Sequence, residues 1–191
     1  MHKEKQPIKA LYIWWDKCVG CRLCELACSR NHYQVLNPEL SRIRIHNFNP
    51  GPMSIPVACS YCSDRPCVRV CPHDALHYEV DKGIIRVDKE KCLGVKCSIC
   101  ARACKGLRSN VIRFFPPDHD YALICDKCDG DPQCVKVCPE GVLDYQPIAL
   151  MPAGEHFADP PEKIAEDVAI KRWHPTKGVM RVKIPWESVS K

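Results

Sequence analysis

Cysteine spacing constrains this 191-residue chain more than any other property. Its sixteen cysteines form four quartets: Cys18, Cys21, Cys24, Cys28; Cys59, Cys62, Cys67, Cys71; Cys92, Cys97, Cys100, Cys104; and Cys125, Cys128, Cys134, Cys138. No cysteine lies outside them. In every quartet three thiols sit close together and a fourth follows four residues after the third. A polypeptide patterned this way is committed to short loops that curl around something the thiols hold.

Iron–sulfur clusters fit that spacing best. The run C-x2-C-x2-C-x3-C holds [4Fe–4S] clusters in bacterial ferredoxins, where three thiolates grip one cubane and the fourth binds its neighbour. Pro72 and Pro139 follow the fourth cysteine of the second and fourth quartets, as in that run, whereas Ser29 and Lys105 stand there in the first and third. A secreted disulfide scaffold fits poorly, because Met1–Pro7 is polar and no long apolar run follows. Structural zinc accounts for separated CxxC pairs, but here a third close thiol recurs every time. Four quartets therefore predict four [4Fe–4S] clusters, and several clusters in one small protein make an electron wire. The x4 gap between Cys92 and Cys97 resembles plant-type [2Fe–2S] spacing, so a missing or different cluster is expected there if anywhere.

Composition bounds the rest. Aromatics are 7% and prolines number 17, which leaves a modest apolar core. Bound metal then supplies stability that burial cannot, and the apo chain should fold poorly. No stretch approaches the roughly 18 apolar residues of a membrane span. Oxygen-sensitive thiol chemistry points to the cytoplasm of an anaerobe. The formal charge is +5. Sixteen thiolates against four cores of about +2 each bring the loaded protein to about −3. That removes the case for nucleic-acid binding. Basic residues beside the quartets (Lys17, Arg22, Arg65, Arg69, Lys91, Lys96, Arg102, Lys105, Lys127, Lys136) compensate local charge as a group, and each taken singly reads as solvated surface.

The chain repeats itself. Asp16–Cys21 resembles Glu90–Cys97, and Ile55–Leu76 matches Tyr121–Leu143, so two tandem ferredoxin-like units are expected, each with one compact and one wide quartet. The fold class is α+β. Ile8–Trp15 reads as a strand, and Arg42–His46 alternates like a half-exposed one. Hairpins are expected over Ala75–Asp88, turning at Asp81-Lys82-Gly83, and over Val111–Ile124, turning at Pro116-Pro117-Asp118. Short helices should start near each fourth cysteine, with Leu23–His32 the clearest. Residues 1–148 form the cluster-binding domain. Residues 149–191 are a proline-marked extension whose Glu162–Trp173 helix would bury Ile164, Val168 and Trp173, as a strap or a docking arm.

Residues 28–45 (CSRNHYQVLNPELSRIRI), 55–76 and 125–143 carry a family resemblance. The chain resembles the four-cluster electron-transfer subunits of molybdenum and tungsten oxidoreductases over about residues 8–148. Within that group it is similar to the small subunit of aldehyde:ferredoxin-oxidoreductase-type tungsten enzymes, which include class II benzoyl-CoA reductase. The resemblance implies a catalytic tungsten or molybdenum pterin subunit as partner, with no bond-making by this protein itself. It also implies pairing of outer quartets together and inner quartets together. One cluster would take Cys18, Cys21, Cys24 and Cys138; the next, Cys125, Cys128, Cys134 and Cys28. A third would take Cys59, Cys62, Cys67 and Cys104; the fourth, Cys92, Cys97, Cys100 and Cys71. Linker lengths of 30, 20 and 20 residues agree with this and leave pairing of the third and fourth quartets open.

Other residues point to surface or supporting roles. His32, His46, His73, His77, His119, His156 and His174 face quartets already complete in cysteine. Asp126, Asp129 and Asp131 resemble a calcium loop, but interleaved cysteines and the missing terminal Glu argue against one. Trp14, Trp15 and Tyr61 read as packing. No GxGxxG, P-loop or Ser-His-Asp pattern occurs. A DMSO-reductase, formate-dehydrogenase or hydrogenase β-subunit, a freely diffusing polyferredoxin and a zinc-bound interaction protein remain as alternatives.

Overall fold

The computed structural model describes residues 8–48, 53–59, 62, 64–107, 111–147 and 161–173. Eight short strands pair into four two-stranded antiparallel sheets. β1 (Lys9–Ile13) and β8 (Leu143–Pro147) pair across the whole cysteine region, with Leu11 opposite Tyr145. β2 (Arg44–Phe48) pairs with β3 (Met53–Val57), and β4 (Leu76–Glu79) with β5 (Ile84–Val87). The last sheet joins β6 (Arg113–Phe115) to β7 (His119–Leu123). Both expected hairpins form. Gly83 closes the first at φ +65°, a left-handed conformation that glycine enters without steric cost.

Two expectations shift. The first strand ends at Ile13, and Trp15–Lys17 becomes a single 3₁₀ turn. The alternating strand begins at Arg44, although Ile43 and Ile45 do face inward while Arg42, Arg44 and His46 stay partly exposed. Its partner β3 carried no alternation signal, because Ser54, Ile55, Pro56 and Val57 are all buried.

Helices begin near the third cysteine of each quartet, not the fourth. α1 (Leu23–Tyr33) and α3 (Ile99–Leu107) run through both the third and fourth cysteines. α2 (Pro66–Arg69) and α4 (Gln133–Lys136) contain only the third and stop within one turn. A Cys-Pro step follows each stop and keeps the pre-proline cysteine out of the α region, and the left-handed Asp74 and Gly141 beyond it bar the helix from resuming. Only the two short helices meet a Cys-Pro step.

Two large apolar clusters, with a small third of Leu40, Tyr121 and Leu123, hold the described residues together. Leu11, Ile43, Ile45, Val142 and Leu143 surround Cys24, Cys28 and Cys134. Ile55, Leu76, Ile85, Ile112 and Ile124 surround Cys67, Cys100 and Cys104. The second cluster also takes Ile164, Ala165 and Val168 from α5 (Pro161–Trp173), which packs on β3 and the Trp15–Lys17 turn. Each such aliphatic side chain contributes about 1.5–3 kcal/mol when buried. The Trp173 side chain, Tyr61, His156 and His174 lie outside what is described. Among the described residues no helix is long and apolar enough to cross a membrane.

Candidate metal centres

The quartets meet in pairs. One cavity is lined by Cys18, Cys21 and Cys24 of the first quartet and by Cys138 of the fourth. A second is lined by Cys125, Cys128 and Cys134 of the fourth and by Cys28 of the first. Both are small and partly open to solvent. α1, which carries the crossing Cys28, packs against α4, which ends two residues before the crossing Cys138. The inner quartets do likewise: α2 packs on α3, Cys104 lies near enough to Cys67 to disfavour its thiolate, and Cys71 acts likewise on Cys100.

No disulfide joins any of the sixteen cysteines. Burial pushes several of the thiols up, to about 11 at Cys67 and about 12 at Cys24, Cys100 and Cys128; Cys134 is raised most. Neighbouring sulfurs add to the rise. Thiols crowded and buried in this way ionise only against compensating positive charge, the opposite of an exposed reactive cysteine. An all-thiol, desolvated donor set converging from two chain segments fits a cationic iron–sulfur core.

Backbone N–H groups complete the cradles. Ala75 donates to Cys71 Sγ and Val142 to Cys138 Sγ, both at 3.3 Å, each from the residue four positions on. Arg42 N donates to Cys28 Sγ, also at 3.3 Å. The quartet loops also curl through left-handed backbone. Arg22, Ser98 and Asp129 each follow the second cysteine of a quartet, and all three have positive φ; Arg65 of the second quartet has it too. A non-glycine residue there costs on the order of 1–2 kcal/mol. Sequence reading missed these positions because glycine is their usual marker. In the third quartet the two extra residues fold into the Gly94–Lys96 turn, pinned by Val95 N donating to Asp120 Oδ1 at 2.8 Å. Gly94 is left-handed there and packs so tightly on Asp120 that a Cβ would collide. Cys97 and Cys100 thereby keep ordinary spacing.

Most flanking cations are solvated, as expected: Lys17, Arg22, Arg69, Lys91, Lys96, Arg102 and Lys136 are exposed. Arg65 stacks over the Tyr78 ring, 3.7 Å from its centroid. Lys127 overturns the surface reading, being only 2% exposed. Burial lowers its pKa to about 8, while Cys125 and Cys59 draw it back up.

The three aspartates of the fourth quartet are engaged in salt bridges, so a calcium loop finds no support. Asp126 binds Arg42 at 2.6 Å and caps Cys128 N at 3.0 Å; Asp129 pairs with Lys82 and Arg86, and Asp131 with Lys136. His32 is the histidine that sequence reading underrated. Its Nε2 lies 3.8 Å from Cys128 Sγ and 3.4 Å from Asp126. These three are the one metal-capable mixed trio among the described residues, and Cys128 already belongs to the cavity beside them. Burial, then Arg42, pushes His32 down to about 4, so the ring is neutral at pH 7. His73 and His77 are exposed, and His119 stacks against Tyr33. Trp14 is exposed, whereas Trp15 Nε1 donates to Pro56 O.

Comparison with known proteins agrees with this geometry. Residues 11–31 match the 4Fe-4S binding domain. The chain is 37% identical to the polyferredoxin-like subunit of an aliphatic sulfonate oxidoreductase from Pyrococcus furiosus, over 90% of this chain and 96% of that protein. It is 34% identical to the electron transport protein HydN of Escherichia coli K12, covering 67% of this chain and 82% of HydN. Against the B subunit of the anaerobic dimethyl sulfoxide reductase of the same strain, identity is 31%, covering 70% of each. The solved BamBC active-site complex of benzoyl coenzyme A reductase aligns over 90% of this chain and 94% of its own at 24% identity, with a TM-score of 0.43. Crossed thiol sets, an all-cysteine donor inventory and kinship along nearly the whole chain converge: this protein belongs to the polyferredoxin-like iron–sulfur electron-transfer subunits of oxidoreductases.

Proposed function

We propose that this chain relays single electrons through four [4Fe–4S] clusters to or from the catalytic subunit of an oxidoreductase complex. The observation that carries the proposal is the crossing of Cys28 and Cys138 between the two outer cavities. A fourth thiol lent to the neighbouring site ties two clusters into one rigid unit, the arrangement a relay needs. Cys18, Cys21, Cys24 and Cys138 would hold one cluster and Cys125, Cys128, Cys134 and Cys28 the next. Cys59, Cys62, Cys67 and Cys104 would hold the third, and Cys92, Cys97, Cys100 and Cys71 the fourth. Bound clusters supply reversible one-electron redox chemistry. The residues of this chain fix their spacing, exclude water and set local charge.

The catalytic partner is read as a tungsten or molybdenum pterin subunit. The resemblance across residues 28–45 supports the tungsten branch. Kinship with a subunit of an aliphatic sulfonate oxidoreductase, along 90% of the chain, supports assembly into a complex over free diffusion. Kinship with the B subunit of the dimethyl sulfoxide reductase favours a second reading, a molybdenum-type partner of that class. Residues 1–148 would house the clusters and 149–191 strap the inner pair, a role supported by the burial of Ile164 and Val168. Reduced thiolate ligation suits the cytoplasm.

Anaerobic purification under gentle lysis tests the proposal. About sixteen iron and sixteen sulfide per chain are expected, together with a co-eluting catalytic polypeptide carrying tungsten or molybdenum. Iron near eight would remove two clusters from the scheme. A loaded monomer with no co-eluting subunit would make the protein a free carrier.

A further inference from the structure

Lys127 sits where the two cluster pairs approach each other. It lines the cavity of Cys125, Cys128, Cys134 and Cys28, while Cys59 of the second quartet is close enough to bear on its charge. Its Nζ donates to Lys9 O at 2.6 Å and to Gly83 O at 2.8 Å. Lys9 belongs to the strand that closes the outer pair, and Gly83 to the hairpin turn that leaves the second quartet. Gly83 is packed close on this crossing: a Cβ there would run into Ile8 and touch Nζ at 3.5 Å. Lys82 and Arg86 of the same hairpin reach across to Asp129, and Arg86 also to Asp126, so the crossing is held in register by ion pairs on its outer side. A side chain 2% exposed, anchored on a carbonyl from each half, is a fixed charge and not a solvated one.

We propose that the Lys127 ammonium is the electrostatic element shared by the two cluster pairs, raising together the reduction potentials of the cluster on Cys125, Cys128, Cys134 and Cys28 and of the cluster on Cys59, Cys62, Cys67 and Cys104. This rests on the four-cluster reading above. Adding an electron makes a cluster more negative, and a buried cation nearby favours that state; low local dielectric keeps the effect from being screened. One charge acting on both sides moves both clusters in the same direction, so matched shifts leave the driving force between them unaltered. Lys127 is thus a positioning residue for electron transfer, with no ligand role.

Redox titration of anaerobically purified holoprotein, followed by electron paramagnetic resonance, tests this in Lys127→Met, Lys127→Gln and Lys127→Arg. Loaded Lys127→Met should show two midpoints moved downward together, each by at least tenfold in the ratio of reduced to oxidised cluster at fixed potential, with the other two unmoved. Tenfold corresponds to 59 mV for a one-electron couple. Lys127→Arg should restore both. Lys127→Gln keeps an N–H donor for the two carbonyls without the charge, and should behave as Lys127→Met. Unchanged midpoints, or movement of one alone, in a fully loaded variant overturns the proposal. Loss of iron from both neutral variants also overturns it, making Lys127 a packing residue. Wild-type protein with far fewer than sixteen iron would instead refute the four-cluster reading itself.

Discussion

The compact first and third quartets solve the same coordination problem as the wide second and fourth by different local means. In the compact pair a helix of 11 or 9 residues carries two cysteines, one turn apart on the same face. In the wide pair a four-residue helix presents one cysteine, and the Cys-Pro step releases the other into a loop. There the backbone reverses through Asp74 and Gly141, both left-handed and both three residues past the fourth cysteine. That reversal returns Ala75 and Val142 to donate to Cys71 and Cys138. Each cavity joins one solution of each kind, so the crossed sulfur comes once from a helix and once from a loop. Helical rigidity on one side and a hydrogen-bonded loop on the other teach that the repeat is kept in geometry more than in secondary structure.

The strongest way to break the comparison is to place the wide-quartet proline in a compact quartet. Ser29 is fully buried inside α1; its Oγ donates to Leu26 O at 3.1 Å and accepts from Asn37 N at 3.2 Å. Ser29→Pro removes a helix bond and sets a ring against the Glu25 carbonyl, costing about 3 kcal/mol or more. It also strands the Asn37 N–H, for about another 1–3 kcal/mol. Because α1 supplies Cys24 to one outer cavity and Cys28 to the other, both outer clusters should be lost and iron should fall by about half. Full iron in soluble Ser29→Pro would mean the helix is dispensable to ligation.

A smaller loss separates inner from outer pairs. Ile164 is 3% exposed and belongs to the inner apolar cluster alone. Ile164→Ala should cost about 2–5 kcal/mol. The inner clusters should bleach first in a denaturant titration followed by visible absorbance, leaving the outer pair intact. Simultaneous loss of all four would show that the two cores unfold as one.

Much of this was legible in advance because thiol spacing is a hard constraint. The quartets, both hairpins, the inward faces of Ile43 and Ile45, and the α5 helix with Ile164 and Val168 buried all follow from spacing or periodicity. What stayed hidden has physical causes. β3 is buried on both faces and so shows no alternation. Arg22, Ser98 and Asp129 adopt glycine-like backbone angles without being glycine. The burial of Lys127 and the His32–Asp126–Arg42 group depend on residues 44 to 118 positions apart in sequence, which no local pattern reports.

The reverse exchange should matter little. Pro72 is exposed, and the left-handed Asp74 two residues later already bars α2 from continuing. Pro72→Ser should therefore change stability by less than about 1 kcal/mol and leave the iron count unchanged. Extension of α2 past Cys71, seen as added helical signal with lost iron, would show that proline alone separates the two kinds of quartet.

The smallest effect is a pH dependence at His46 of β2, whose charge Glu162 of α5 is near enough to influence. Burial lowers the pKa of His46; Glu162 of α5 opposes the shift, while Arg44 and Arg113 reinforce it. The unfolded protein, with an ordinary histidine near 6.5, then binds the proton more readily than the folded one. Stability from this group is fully present above that value and is lost as pH falls through it toward the lower folded pKa. The holoprotein should unfold at progressively lower temperature as pH drops below about 6.5, and His46→Gln should flatten that slope without altering stability at pH 8. Glu162→Gln should steepen it, because the carboxylate that favours the imidazolium is gone. An unchanged slope in both variants would assign the acid sensitivity to the cluster thiolates, whose protonation releases iron in either kind of quartet.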